Sequence, residues 1–283
     1  MPAYRSLVTK EWIERRIRDG RGNGSGADYK PWLVIQDFPS LGRVHRIPGW
    51  KHRRVHHLFS DLERNVFLHY LLPFSVTDIR EQFPLLPLEE TIEIAREMGV
   101  RHPTDPRTKH PVVMTTDLLL SVCQGPYDTY QPLTVKYFKD LPKTRVTEKL
   151  EMERRYWAAA SRNLKLKIVT ERQVSREFVY NMLWIHPFYW LSELYPLTER
   201  EILKIASLLT QFIFNESLPL RVVAQRCDRL LHLKVGDSLT VIRHLLANRY
   251  WDVDMKARIR TDQRLVLLNA PAITLYGERK LIA

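Results

Sequence analysis

The segment YQPLTVKYFKD, residues 130–140, puts Leu133, Val135 and Tyr137 on one side of a β-strand and Thr134, Lys136 and Phe138 on the other. Lysine is seldom buried without a partner, so Lys136 either snorkels into solvent or meets a carboxylate. The preceding run PVVMTTDLLLSV, joined to it through CQGPYD, predicts an antiparallel hairpin that can bring Asp117 into the same cleft as Lys136. Upstream, Ser60-Asp61-Leu62-Glu63 spells a capping box, and Leu62, Val66, Phe67, Tyr70 and Leu71 follow at helical spacing. A helix glutamate, a strand aspartate and a lysine two residues after a short polar one are the residue types of a metal-dependent nuclease. Carboxylates from Glu63 and Asp117 suit hard Mg²⁺ ions, which polarise a scissile phosphate and activate water. The Val135 carbonyl can add a ligand, and the compact Lys136 ammonium can offset charge on the phosphorane or orient the water.

Each of these residues has a plain alternative. Glu63 can serve only its helix terminus, worth about 1 kcal/mol. Asp117 can simply pair with Lys136 across the hairpin. Spacing alone leaves both readings open.

The elements that must hold these residues are legible as a mixed α/β arrangement. SVTDIREQF reads as a strand, LEETIEIAREMGV as a helix, RVTEKLEMERRYWAAAS as a long charged helix and LKLKIVT as a further strand. This α/β domain, with a mixed central sheet, is expected to end near residue 172. At its start, a short basic helix around Leu7, Trp12, Ile13 and Ile17 leads into a glycine-rich run from Gly20 to Gly26. That run lacks the G-K-[ST] ending and a preceding strand, so it is read as a flexible connection and not a phosphate loop. The Arg- and His-dense stretch up to Ser60 includes His52, His56 and His57. Without acidic or cysteine partners at fixed spacing it reads as a basic surface facing phosphate, with His56 and His57 as candidate DNA contacts.

Residues 173–283 have a different texture. LTEREILKIASLLTQFIF, LPLRVVAQRCDRLLHL and GDSLTVIRHLLANRY read as three helices, and YWDVDM and RLVLLN as short strands flanking the basic tip KARIRTDQ. Three helices followed by a two-stranded ribbon is the order of a winged helix. On that reading Ser238, Thr240, Arg243 and His244 lie on the exposed side of the third helix, and Lys256, Arg258 and Arg260 arm the wing for DNA. The alternative is a small helical domain with ordinary solvated charges, and such folds also bind proteins.

Composition agrees with a nucleic-acid partner. Lys plus Arg number 44 against 32 Asp plus Glu, a formal net charge of +12, and a surplus of that size favours a polyanion. Hydrophobic residues make up 45% of the 283, enough to bury real cores. No apolar run of ~18 residues and no charged-then-apolar leader is evident, so a soluble, intracellular protein without membrane contact is expected. The two cysteines, Cys123 and Cys227, form no C-x-x-C pair, which argues against a disulfide framework or a cysteine-rich zinc site.

Five strings, DGRGNGSGADYKPWL, RVHHLFSDLE, DIREQFPLLP, TTDLL and EKLEMERRYW, occur in order over the first 172 residues. Together they resemble TnsA, the endonuclease subunit of heteromeric transposases in Tn-seven-type transposons, including CRISPR-associated relatives. The resemblance implies a restriction-endonuclease-like catalytic domain over residues 1–172 and a mainly α, winged-helix-like DNA- or partner-binding domain over 173–283. It implies two Mg²⁺ ions, with Mn²⁺ as a substitute, held among a helix glutamate, a strand aspartate and a Q-x-K segment. Those roles fall on Glu63, Asp117 and Lys136, with Thr134 standing where the family has glutamine. A threonine hydroxyl is the weaker ligand, and Gln131 faces the other way in a regular strand, so only a bulge would bring it in. The resemblance further implies cleavage at the 5′ ends of a transposon in the bacterial cytoplasm. It implies a TnsB-type transposase cutting the 3′ ends, a TnsC-type AAA+ ATPase regulator, and inactivity of the subunit alone. A non-catalytic DNA-binding adaptor and a free-standing restriction-type nuclease are the rival readings.

Overall fold

In the computed structural model the chain divides into compact units of residues 1–174 and 175–283, each with buried apolar residues of its own. Residues 7–37, 42–125, 127–190 and 197–270 are described.

The first unit is built on a four-stranded sheet of β3 (Val76–Pro84), β4 (Thr115–Gln124), β5 (Tyr127–Val135) and β6 (Lys167–Val169), in that order. The expected hairpin forms: β4 and β5 are antiparallel, with Leu118 opposite Leu133. Helix α4 (Thr144–Ala158) then crosses over, so that β6 returns parallel to β5. Leu119 of β4 packs with Leu85, Ile94, Met152, Tyr156 and Trp157 in the core that α4 and α3 (Leu88–Glu97) close. Leu118, Leu120 and Leu133 are equally buried, as a sheet covered on both faces requires.

Helix α2 (Asp61–Leu71) starts at Ser60, whose Oγ accepts from the Glu63 N–H at 3.1 Å. The reciprocal arm of the box shifts by one residue, because the Glu63 carboxylate accepts from the Phe59 N–H at 2.9 Å. Val66, Phe67 and Leu68 are then fully buried. A small sheet that the sequence did not announce, β1 (His45–Pro48) with β2 (Val55–Leu58), precedes this helix.

Helix α1 (Lys10–Arg18), capped by Thr9, buries Trp12 and Ile13 against Trp32 and Val113. The glycine run that follows is not a flexible connection. The Gly22 N–H donates to the Lys30 carbonyl at 2.7 Å, and the Gly26 N–H to Asp78 of β3 at 2.9 Å. Gly22 has φ of +85°, and a side chain there would drive its Cβ to 2.3 Å from Pro84. Glycine is therefore required by close packing on β3 as well as by conformation.

In the second unit, an unanticipated helix α5 (Arg176–Ile185) precedes the three expected ones, α6 (Glu199–Asn215), α7 (Leu220–Leu230) and α8 (Asp237–Ala247). Helices α6, α7 and α8 pack on one another, and α5 contacts α8. The strands expected at YWDVDM and RLVLLN do not form, and among the described residues only an isolated bridge joins Asp252 to Asn269. The Asn181 amide of α5 donates to the carbonyls of Met255 and Ala257 and accepts from the Ile259 N–H, so one side chain pins the basic tip that lies between the two segments. The same loop accepts from the first N–H groups of α7 through the carbonyls of Gln263 and Thr261. No described helix is long and apolar enough to cross a membrane.

Candidate active site

Asp117 lies near the start of β4, directly before Leu118, whose cross-strand partner is Leu133; continuing that register sets Asp117 against Thr134. Its Oδ2 is the focus of three donors from the end of β5. Thr134 Oγ donates at 3.1 Å, the Val135 N–H at 2.6 Å and Lys136 Nζ at 3.0 Å. Lys136 Nζ also donates to the Val135 carbonyl at 2.9 Å. The lysine, one residue past the end of β5 and not in mid-strand, thus has its carboxylate, and its side chain remains 36% exposed. No bulge interrupts the β4–β5 ladder, and Gln131 is turned away to the Lys165 carbonyl.

Glu63 reaches the same charge cluster from the first turn of α2. Burial and the charge of Asp117 push its carboxyl up to about 7, against the pull of the Phe59 N–H and Ser60 hydroxyl. A third carboxylate was missed by sequence reasoning. Glu153 of α4 is 4% exposed, and its Oε1 accepts from Thr116 Oγ at 2.7 Å. Burial and Asp117 raise it to about 8, with hydrogen bonds from Thr116 and Thr134 opposing. The signal was in the sequence: Glu153 falls among Met152, Tyr156 and Trp157, which are buried around it, and a charge inside an apolar helical stripe asks for a partner. Burial acts to lower the Lys136 pKa, but Asp117, Glu153 and Glu63 outweigh it and the pKa is raised.

Three carboxylates therefore interact with one ammonium that is directly bonded to Asp117, and burial together with the Asp117 charge raises the other two above the ordinary carboxylate range. This donor set fits a hard divalent ion. Among the described residues no three acidic, histidine or cysteine side chains are placed to hold a metal by themselves. Glu63 and Asp117 would hold it with the Val135 carbonyl, the group that Lys136 now shares. Thr134 is 1% exposed and turns its hydroxyl to Asp117.

The candidate DNA contacts fare differently. His56 is buried, not a surface group: its Nδ1 lies 2.8 Å from Glu81 Oε2, and Arg54 meets Glu81 Oε1 at 2.7 Å. The Glu81 carboxylate is buried, yet His56 and Arg54 hold it down at about 2. His57 is half-buried, accepting from the Ile35 N–H at 3.4 Å, and burial lowers its pKa. In α8, Ser238 and His244 are buried and not exposed, because this helix is apolar around most of its circumference; His244 Nδ1 bonds the Phe188 carbonyl. Thr240 is half-buried, and the Arg243 guanidinium is sandwiched 4.7 Å from each of the Trp184 and Phe188 rings. It is thus committed to packing. Lys256, Arg258 and Arg260 are exposed on the loop, with Arg258 stacked on Tyr180 and Arg260 paired with Asp262.

The family model for the TnsA-like endonuclease N terminal matches residues 74–171, which include Asp117, Lys136 and Glu153. The model for the TnsA endonuclease C terminal matches residues 173–255. Transposon Tn7 transposition protein TnsA of Escherichia coli is 39% identical over 257 residues, covering 88% of each chain. The chain belongs to the TnsA endonuclease family.

Proposed function

We propose that this chain is the subunit of a transposase that hydrolyses one phosphodiester at each 5′ end of a mobile DNA element. The observation that supports it most is the convergence of Thr134, Val135 and Lys136 on one oxygen of Asp117, beside two carboxylates that are short of positive charge. Such perturbed groups in a cleft mark functional sites more often than structural ones. On this reading Glu63, Asp117 and the Val135 carbonyl hold Mg²⁺, as two ions, with Mn²⁺ able to substitute. When bound, the metal polarises the scissile phosphate and lowers the pKa of the attacking water. The chain's own work is positional and electrostatic. Thr134 and the Val135 N–H fix the Asp117 carboxylate, and Lys136 supplies positive charge where the phosphorane becomes more negative.

The same reading takes residues 1–172 as a restriction-endonuclease-like catalytic domain. Residues 173–283 are then a mainly helical domain whose loop, where the winged-helix reading placed a wing, presents Lys256, Arg258 and Arg260 to DNA or a partner. A TnsB-type transposase would cut the 3′ ends and a TnsC-type AAA+ regulator would license both, in the bacterial cytoplasm. The test is strand-resolved cleavage of end-labelled transposon DNA with the cognate transposase and regulator in Mg²⁺. Wild type should give 5′-end breaks and Asp117→Asn only 3′ nicks. If wild type also leaves only 3′ nicks, the protein is an adaptor and not a nuclease.

A further inference from the structure

Beyond the acidic cleft, the first unit carries an open concavity of about 670 Å³. It is formed by the C-terminal end of α1, the glycine-containing turn and β2. Arg18, Arg21, Lys30, Arg54 and His57 line it against a single acid, Asp19. Arg54 is neutralised by the buried Glu81, which leaves three cations. Arg21 donates to the Pro31 carbonyl and Lys30 to the Asp19 carbonyl, and neither these two nor Arg18 is paired with a carboxylate among the described residues. Arg18 and Lys30 are exposed.

Unneutralised cations on a surface are common, but these are held in place. The turn that presents Lys30 is tied to β3 by Gly26 and Asp78, and the Arg54 guanidinium reaches the Gly26 and Ile79 carbonyls beneath it. His57 on its wall precedes by three residues Ser60, the cap of the helix that carries Glu63.

We propose that this concavity is a phosphodiester-backbone site, in which Arg18, Arg21 and Lys30 grip the duplex DNA on which the chain acts. It rests on the chain acting on DNA, though not on its cleaving DNA. The contacts are to phosphate and carry no sequence information. The site aligns a strand whose sequence is chosen elsewhere.

The experiment is fluorescence anisotropy of the full-length protein on a labelled random-sequence 30-base-pair duplex, in EDTA and across a KCl series. Arg18→Glu combined with Lys30→Glu should weaken binding at least tenfold, and the slope of log affinity against log salt should fall by about one for each cation lost. Arg18→Gln with Lys30→Gln, which adds no acid, should lose the same slope. Arg101→Glu, at an exposed cation outside the concavity, should change neither by a comparable amount. Unchanged affinity and slope in both double variants would overturn the site, as would an equal loss in Arg101→Glu, which would mark a general charge effect. Displacement of DNA by inorganic phosphate beyond that by chloride at equal ionic strength would show a free-anion site and overturn the proposal. Because EDTA removes the cleavage chemistry, a failed strand-cleavage assay beside normal salt slopes would sink the nuclease reading alone.

Discussion

Glu81 and Asp117 lie one residue apart across the β3–β4 ladder, since Glu81 pairs with Leu118, yet the two carboxylates live under opposite conditions. Glu81 is fully buried and matched: Arg54, His56 and the His57 N–H all point at it. Asp117 shares its surroundings with Glu63 and Glu153, with one lysine directly bonded. The difference shows in the charges. Glu81 is held down at about 2, while Glu63 and Glu153 are pushed up to about 7 and 8. A buried carboxylate with its donors complete serves the fold, whereas a cluster short of positive charge is what the proposed metal site requires.

Removing each carboxylate should break the comparison if it is wrong. Asp117→Asn keeps an oxygen for the three donors, so cleavage should fall on the order of 10³-fold while unfolding stability moves by only about 1 kcal/mol. Glu81→Gln should do the opposite, costing about 3 kcal/mol in a denaturant titration because Arg54 is left buried without its counter-charge. A Glu81→Gln protein that unfolds at the wild-type midpoint would remove the distinction.

Next in size is Lys136→Ala. Its ammonium occupies the two acceptors, Asp117 Oδ2 and the Val135 carbonyl, that a metal would use. Cleavage should drop about 10²-fold while Mg²⁺ affinity by calorimetry is not weakened. Equal losses in both would argue against that role for Lys136.

The two clusters should also respond oppositely to pH. Glu81 has a depressed pKa, so its contribution is present above its ordinary 4.5 and lost as pH falls toward about 2. Glu63 and Glu153 have raised pKa values, so their stabilising protonation is complete below 4.5 and lost as pH rises through about 7 and 8. Mg²⁺ relieves the charged form, and its effect on the melting temperature should be larger at about pH 8.5 than at about pH 5.5. A pH-independent Mg²⁺ shift would show that these carboxylates do not meet the metal. The smallest change expected is for Thr134→Val, which removes one hydroxyl donor from Asp117: about 1 kcal/mol of stability and less than a tenfold loss of cleavage.

Local chemistry was enough for some of this molecule. The serine cap of α2, the β4–β5 hairpin and the meeting of Asp117 with Lys136 follow from capping, turn and cross-strand rules that act over a few residues. The helices α6 to α8 follow from apolar periodicity. Other features depended on which distant group arrives. His56 reads as a surface cation until Glu81, 25 residues later, is folded against it. Glu153 reads as one of many charges on α4 until that helix lies on the sheet, and the glycine run reads as slack until Pro84 and Asp78 close on it. The basic tip between the two expected wing strands is likewise held by a distant residue, an asparagine 74 residues or more away from the carbonyls it binds. Sequence alone determined the central hairpin, the helices α2 and α6 to α8, and the residue types that could do chemistry, because those properties are local. Tertiary structure decided which charges are compensated, because compensation depends on partners brought together only when the sheet and its helices pack.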